Sequence, residues 1–386
     1  CNVSTNSMTS RSIISIFLCQ SGCRVSLRIQ RIRLTNFRNF SDAEVTLASG
    51  MTVLVGHNAV GKTNTIEALQ LLTTGTSFRH PRSSELLRIG ADTGRIESRI
   101  EGDGRVLDVC CTITTSRRTF SKNGKTCKAA DLLGTLMSIL FCPDDLSFVK
   151  GSARIRREEL DGFGSQAHPG YNRVVKTYLR SVEQRNSFLK EPDIDPSLLD
   201  AWDESIATGA AVLLGHRLSL FHKLAPIVSR IYSEIASGET LECRYVCSAG
   251  CDFEQMNKEE LREHLWTKLH EGRSDDIRRQ QTLIGPHRDD IAFLIQGKDA
   301  RAFASQGQQR SIVLAWKMAE VELAQTLVGQ KPLLLLDDVM SELDETRRAA
   351  MCTFIETGVQ TVLTTTNLGY FSPSLLDQAK VVTFDG

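Results

Sequence analysis

The chain has 386 residues, enough for two domains or one large domain carrying an insertion. Lys+Arg and Asp+Glu both number 46, so the formal charge is zero and any attraction to a polyanion has to use a local basic patch, not the field of the whole chain. No apolar run approaches the ~18 residues of a membrane helix, and the eleven scattered cysteines fit reduced thiols in the cytoplasm better than a disulfide framework.

Residues 1–24 begin at Cys1 and contain the short apolar stretch SIISIFLCQSGC, which lacks a small-x-small cleavage site; they read as a disordered extension. From Ser26 to Val55 the pattern is strand-like, with a Ser-Gly turn before the second strand. Gly56-His57-Asn58-Ala59-Val60-Gly61-Lys62-Thr63 follows, a G-x-x-x-x-G-K-T phosphate loop between a strand and a helix that closes at Gly75. Its backbone N–H groups suit a triphosphate, Lys62 suits the β- and γ-phosphates, and the Thr63 hydroxyl suits Mg²⁺. Residues 95–128 read as hairpins, with Lys-Asn-Gly-Lys a turn signal.

Helical character dominates from about 170 to 236, without sustained heptads. Cys243, Cys247 and Cys251 recur every fourth residue, which invites a metal; Leu241, Cys243, Tyr245 and Cys247 also alternate like one strand face. Beyond 280 strands return. Ser305-Gln306-Gly307 opens a helix whose Ile312, Trp316, Ala319, Leu323 and Leu327 form an apolar stripe; alone, Ser305 is an N-cap. In LLLLDDVMSELD, Asp337 ends a buried strand and suits Mg²⁺; Asp338 is either the base that activates water or a cap of the following turn.

Taken together, the order is phosphate loop, helical insertion, Ser-Gln-Gly helix, acidic strand, Ser-x-Leu-Asp. It resembles the ATP-binding-cassette ATPases, and the segments LTNFRNF, GTSFRHPRSSELLRIG, GPHRDD, FASQGQQRSI and VLTTTNLGYF narrow the resemblance, over residues 25–386, to the RecF family of DNA-repair ATPases related to SMC heads. This implies an α/β ATPase head of the ATP-binding-cassette type, formed by residues 25–165 and 280–386, with a compact helical insertion lobe at 166–279. It further implies an ATP- and Mg²⁺-dependent homodimer on double-stranded and gapped DNA. RecR and RecO would be partners in RecA loading, with roles in recombinational repair, replication restart and the SOS response, and ATP hydrolysis would be slow and DNA-stimulated.

The resemblance assigns catalytic roles to Lys62, Asp337 and Asp338, and nucleotide contacts to Gly56 through Asn64. Ser305, Gln306, Gly307 and Asp344 would reach ATP held by a second copy. Thr366 stands near the place where relatives put a γ-phosphate-sensing histidine, and Asp144 or Asp145 would lie near the metal. Arg38 and Asn39 suit either the adenine and ribose or a plain turn. Candidate phosphate contacts for DNA are Arg79, His80, Arg82, Arg88, Arg117, Arg118, Lys122, Lys125, Lys128, Arg154, Arg156 and Arg157; taken singly, each cluster reads more readily as a solvated charged face. The competing classes are a self-contained P-loop kinase, for which the Ser305 segment has no use, and an SMC-like tether, which needs the missing heptads.

Overall fold

The computed structural model describes residues 26–384 except 193 and 251–255, so the N-terminal extension and Cys251 lie outside the described residues. In chain order the elements are β1 (Arg28–Phe37), β2 (Phe40–Thr46), β3 (Met51–Gly56), α1 (Lys62–Thr74), β4 (Thr93–Gly102), β5 (Arg105–Thr114), β6 (Arg118–Lys122), β7 (Lys125–Cys127) and β8 (Ser138–Phe141). Next come α2 (Ala153–Ala167), α3 (Pro169–Phe188), α4 (Pro196–Ile235), β9 (Leu241–Val246), α5 (Lys258–Glu271), α6 (Arg273–Arg279), β10 (Asp290–Ile295), β11 (Lys298–Asp299), α7 (Ala300–Phe303) and α8 (Gln306–Val328). The chain ends with β12 (Leu333–Asp337), α9 (Glu345–Ile355), β13 (Thr361–Thr365), α10 (Pro373–Asp377) and β14 (Lys380–Phe384).

Three sheets result: antiparallel β2-β1-β4-β5-β6-β7, parallel β14-β3-β13-β12-β8, and antiparallel β11-β10-β9. The parallel sheet is covered on both faces, which is why β12 is an unbroken leucine run. Leu333 and Leu335 join α1 and the six-stranded sheet in one core. Leu334 and Leu336 point the other way, into the core built with α2, α3, α4 and α8. Helix α1, which follows the phosphate loop, and helix α8, which follows Ser305, therefore lie on opposite faces of the parallel sheet.

In β1 the buried residues are Ile29, Ile32, Leu34 and Phe37; the irregular spacing after Ile29 coincides with a register shift between Ile29 and Arg31. The buried Gln360 amide staples two sheets, accepting from Ile29 N at 2.9 Å and donating to the Ile29 and Ala48 carbonyls at 2.8 Å each.

The 166–279 segment holds α3, α4, α5 and α6, but also β9, which pairs antiparallel with β10 beyond the expected boundary. Cys243 lies on β9, where burial pushes its thiol up to about 12, as expected of a strand-face cysteine packed in a core. A polar hub formed by residues 285–290 joins this segment to the rest. Arg217 of α4 forms a fork on Asp161 at 2.7 and 2.8 Å and donates to the Pro286 carbonyl at 2.6 Å. His287 Nδ1 lies 2.7 Å from the Tyr178 hydroxyl and Nε2 lies 2.9 Å from the Thr282 carbonyl; in the neutral ring Nε2 donates to that carbonyl and Nδ1 accepts from the hydroxyl. Among the described residues no helix is long and apolar enough to cross a membrane.

Candidate nucleotide-binding site

Strand β3 delivers the phosphate loop at the carboxyl edge of the parallel sheet, and α1 begins at Lys62. Gly61 has φ 114°, and a Cβ there would lie 2.4 Å from the Phe40 ring, so the tight entry into α1 demands glycine. Ala59 also sits at positive φ (68°), a conformation glycine adopts without strain; alanine here stores about 1 kcal/mol. Residues His57, Asn58 and Ala59 are exposed, whereas Gly61 and Lys62 are buried. The Lys62 ammonium folds onto the Gly56 and His57 carbonyls at 2.6 and 2.7 Å. Burial lowers its pKa, opposed by the charges of Asp338 and Asp337.

Strand parity builds the acidic side. Asp337 continues the face of Leu333 and Leu335, and its parallel register partner Thr364 shares the face of Val362. Both point at the start of α1. Asp337 Oδ1 accepts from the Thr63 and Thr364 hydroxyls at 2.9 Å each. Burial raises the Asp337 pKa, and the two hydroxyl bonds counter it. Asp338 turns off the strand with φ 52°; its N–H donates to Thr364 Oγ1 at 2.9 Å. Among the described residues its Oδ1 is buried without a hydrogen-bond partner, and its pKa is raised by burial and then by Asp337. As N-terminal cap of the following turn its side chain makes no capping bond, so the cap alternative finds no support in the geometry.

Thr364 is therefore the hydroxyl that meets the acidic pair, while Thr366 is exposed beyond the end of β13. Parity with Val362 was the available signal. Arg38 and Asn39 are the two-residue turn between Phe37 and Phe40, with Arg38 at φ 52°. The Arg38 guanidinium forks onto the fully buried Glu67 of α1 at 2.7 and 2.9 Å and donates to the Glu85 carbonyl at 2.8 Å. Asn39 does touch the loop, donating to the Val60 carbonyl at 3.0 Å and accepting from Asn64 Nδ2 at 2.8 Å. Arg79 donates to Asn64 Oδ1 at 3.0 Å and lies 3.6 Å from Glu67, so it borders the nucleotide loop.

Asp145 caps Cys142 N at 2.8 Å and lies 3.4 Å from the buried Lys317, and Asp144 is exposed on the same short turn, which follows β8 beside the end of β12. Lys317 bonds Glu159 as well, and Glu320 on the next turn is held well above the ordinary carboxylate range by burial and by Glu159.

At the second corner Ser305 caps α8. Its Oγ accepts from Gln308 N at 3.2 Å, and Gln308 Oε1 accepts from Ser305 N at 2.9 Å. Ser305 and Gln306 are exposed, as is Phe303 just before them at 74%. Asp344 caps α9, accepting from Arg347 N at 3.0 Å.

The basic candidates divide. Arg156 is 1% exposed and saturated: it forks onto Asp290 at 2.7 and 3.0 Å and donates to the Phe148, Val149 and Gly151 carbonyls, so it is a core residue and not a DNA contact. Arg157 is tied to the Asp289 carbonyl at 2.5 Å. Lys122 is held by the Asp131 carbonyl and by Thr135 Oγ1, and Arg154 pairs with Glu158 at 2.6 Å. His80, Arg82, Arg88, Arg117, Lys125 and Lys128 are exposed, and Arg118 is half-buried beside them.

Residues 28–383 match the family described as the RecF/RecN/SMC N terminal domain. The chain is 37% identical over 364 residues to the DNA replication and repair protein RecF of Gloeobacter violaceus, covering 92% of this chain and 96% of that one. It is 38% identical over 352 residues to the RecF of Symbiobacterium thermophilum, covering 88% and 92%. A solved structure of the recombination mediator protein RecF with ATP superposes with a TM-score of 0.84 at 31% identity, covering 92% of this chain and 96% of that one. An Smc head bound to the C-winged helix domain of ScpA shares the fold alone, with a TM-score of 0.54 at 15% identity.

Proposed function

The chain belongs to the RecF family of DNA replication and repair proteins, and from that premise we propose that it is an ATP-gated clamp for double-stranded DNA beside single-strand gaps. Two copies close on ATP, each holding the nucleotide with Gly56–Asn64 and lending Ser305, Gln306, Gly307 and Asp344 to the other. In the cytoplasm the closed pair works with RecR and RecO to promote RecA loading in recombinational repair, replication restart and the SOS response. The observation that carries this reading is the separation of α1 and α8 on opposite faces of the parallel sheet, with the exposed Ser305 turn presented outward. One chain's Ser305 turn is thus poorly disposed to serve its own loop, and a second copy resolves this.

Lys62 binds phosphate by exchanging its two carbonyl partners for phosphate oxygens. Thr63 and Asp337, joined at 2.9 Å, form a hydroxyl–carboxylate pair of the hard-oxygen kind that Mg²⁺ prefers, and a cation would relieve the buried acid. When bound, the ion would neutralise charge on the phosphate oxygens. Asp338, with a partnerless buried oxygen, takes the proton of the attacking water, and Thr364 holds its backbone in place. Turnover is slow and DNA-stimulated, because closure of the pair precedes it. DNA meets the exposed Arg82 and Arg117 and the half-buried Arg118, with Arg79 at the border of the nucleotide loop.

Sizing the chain with and without ATP tests the reading. Wild type shifts to a dimer with ATP, and Ser305→Arg stays monomeric while binding ATP within about threefold of wild type. A wild-type chain that hydrolyses ATP at full rate as a monomer, indifferent to Ser305→Arg, refutes it.

A further inference from the structure

We infer that Arg347 is a positioning residue that welds the Ser341–Asp344 turn to the first two turns of α8, so that the two segments offered to a second copy move as one jaw; this rests on the dimer reading above. Arg347 is not among the residues that the sequence motifs single out. Its guanidinium reaches across from α9: Nε donates to Oγ of the fully buried Ser311 at 2.8 Å, and Nη1 pairs with Asp344. Nη2 lies under Gly307, where a Cβ would come within 3.1 Å of it. Glycine at 307 therefore does more than admit a phosphate from outside; it also leaves room for this arginine from inside.

Two further contacts give the weld a direction. Arg310 of α8 pairs with Glu342 at 3.0 Å, and the Ser341 hydroxyl donates to the Asp338 carbonyl at 2.7 Å. The turn is thus fastened to α8 at one end and to the water-activating carboxylate residue at the other. From the opposite flank Gln308 donates to both Glu239 oxygens at 3.1 and 3.3 Å, and Glu239 accepts from the Tyr232 hydroxyl of α4 at 2.9 Å. The first turn of α8 is clamped from α9 on one side and from the end of α4 on the other. A cation beside a helix N-terminus is unfavourable by itself, so Arg347 is held there by Asp344 and Ser311 against the helix dipole. A shift of the Asp338 turn then reaches Ser305 through a fork of hydrogen bonds, not through a flexible loop.

The test uses the full chain, a fluorescent ATP analogue for nucleotide affinity and sizing for dimerisation. Arg347→Ala is expected to leave monomer affinity within about twofold and to weaken ATP-dependent dimerisation about tenfold or more, the worth of a charge-assisted bond. Arg347→Lys recovers only part, since one ammonium cannot reproduce the fork. Arg347→Ala combined with Ser311→Ala should be no worse than Arg347→Ala alone, because the bonded pair acts as a unit. Should Arg347→Ala fold poorly, Ser311→Ala removes the anchor without removing a charge and is expected to weaken dimerisation about threefold. If wild type dimerises, Ser305→Arg does not, and Arg347→Ala and Ser311→Ala both dimerise like wild type, the positioning role is wrong while the dimer reading stands. If wild type itself stays monomeric with ATP, the dimer reading has failed first.

Discussion

The phosphate-loop corner and the Ser305 corner differ in where their polar groups find partners. At the first, Thr63, Asp337, Thr364 and the Asp338 N–H satisfy one another through strand parity and register. Among the described residues Asp338 Oδ1 is left buried and unbonded there, an oxygen whose partner the proposed water would supply. At the second, the cap of α8 is closed by its own Gln308, and the flanks are held by Arg347 and Glu239, while the outer edge is exposed. In the proposed reading the first corner is one half of an ATP site and the second, exposed at Ser305 and Gln306, is the half lent to another copy. A dimer that needs both halves would account for their placement on opposite faces of a sheet.

The largest expected effect breaks both corners at once. Lys62→Met should weaken ATP binding about a hundredfold or more, since it removes a charged partner of the phosphates, and dimerisation should vanish with it. Equilibrium binding of a fluorescent ATP analogue and sizing with ATP check the two together. Asp338→Asn separates the corners differently: ATP binding and dimerisation persist, while single-turnover hydrolysis falls about a hundredfold or more. Because burial and Asp337 raise the Asp338 pKa, wild-type hydrolysis should fall as pH drops through that raised value, and the Asp338→Asn variant should lose this acid limb. An Asp338→Asn dimer that retains wild-type hydrolysis would remove Asp338 from the mechanism.

Next in size is a contrast between two arginines that look alike in sequence. Arg156→Ala removes the fork on Asp290 and the donor of the Phe148 and Val149 carbonyls and should cost about 3 kcal/mol of stability, read as a fall in denaturant midpoint. Arg117→Ala should leave that midpoint unchanged and lower the salt slope of DNA binding by about 1. The reverse pattern would mean that the basic surface has been drawn in the wrong place.

That contrast also marks where sequence reading stops. The phosphate loop, the leucine strand and the Ser305 cap are local patterns with local physical causes, and each stands where its spacing put it. Arg156 sits in a run of charges and reads as solvated. Its burial depends on Asp290, more than a hundred residues away, and distant pairing leaves no local trace. Thr364 and Thr366 are equivalent by composition; only the register of β13 against β12 selects Thr364. Arg347 escaped notice for a similar reason, since a helix-surface arginine three residues after a cap is ordinary until α8 is laid beside it.

The hub at residues 285–290 offers the smallest and most selective way to sharpen the comparison. Strand β10 leaves this hub and leads through α7 to Ser305, and Arg301 of α7 returns to the Gly151 carbonyl at 2.7 Å and to Asp290 at 3.7 Å. His287 in the hub is held neutral, its pKa pushed down to about 4 by burial and by the charges of Arg288, Arg157 and Arg217, against the pull of the Thr282 carbonyl. The unfolded chain, with an ordinary imidazole near 6.5, takes up its proton first as pH falls. The stability this contributes is whole above about pH 6.5 and is lost as pH falls towards 4, up to about 3 kcal/mol. His287→Gln keeps a donor for Thr282 and an acceptor for Tyr178 but does not titrate. Chemical denaturation between pH 7 and 4.5 should therefore show a shallower loss for the variant than for wild type. ATP binding and Ser305-dependent dimerisation at pH 7.5 should be unchanged. Equal slopes for both proteins would mean that the hub opens to solvent, and then the support of the Ser305 corner would have to come from Arg347 and Glu239 alone.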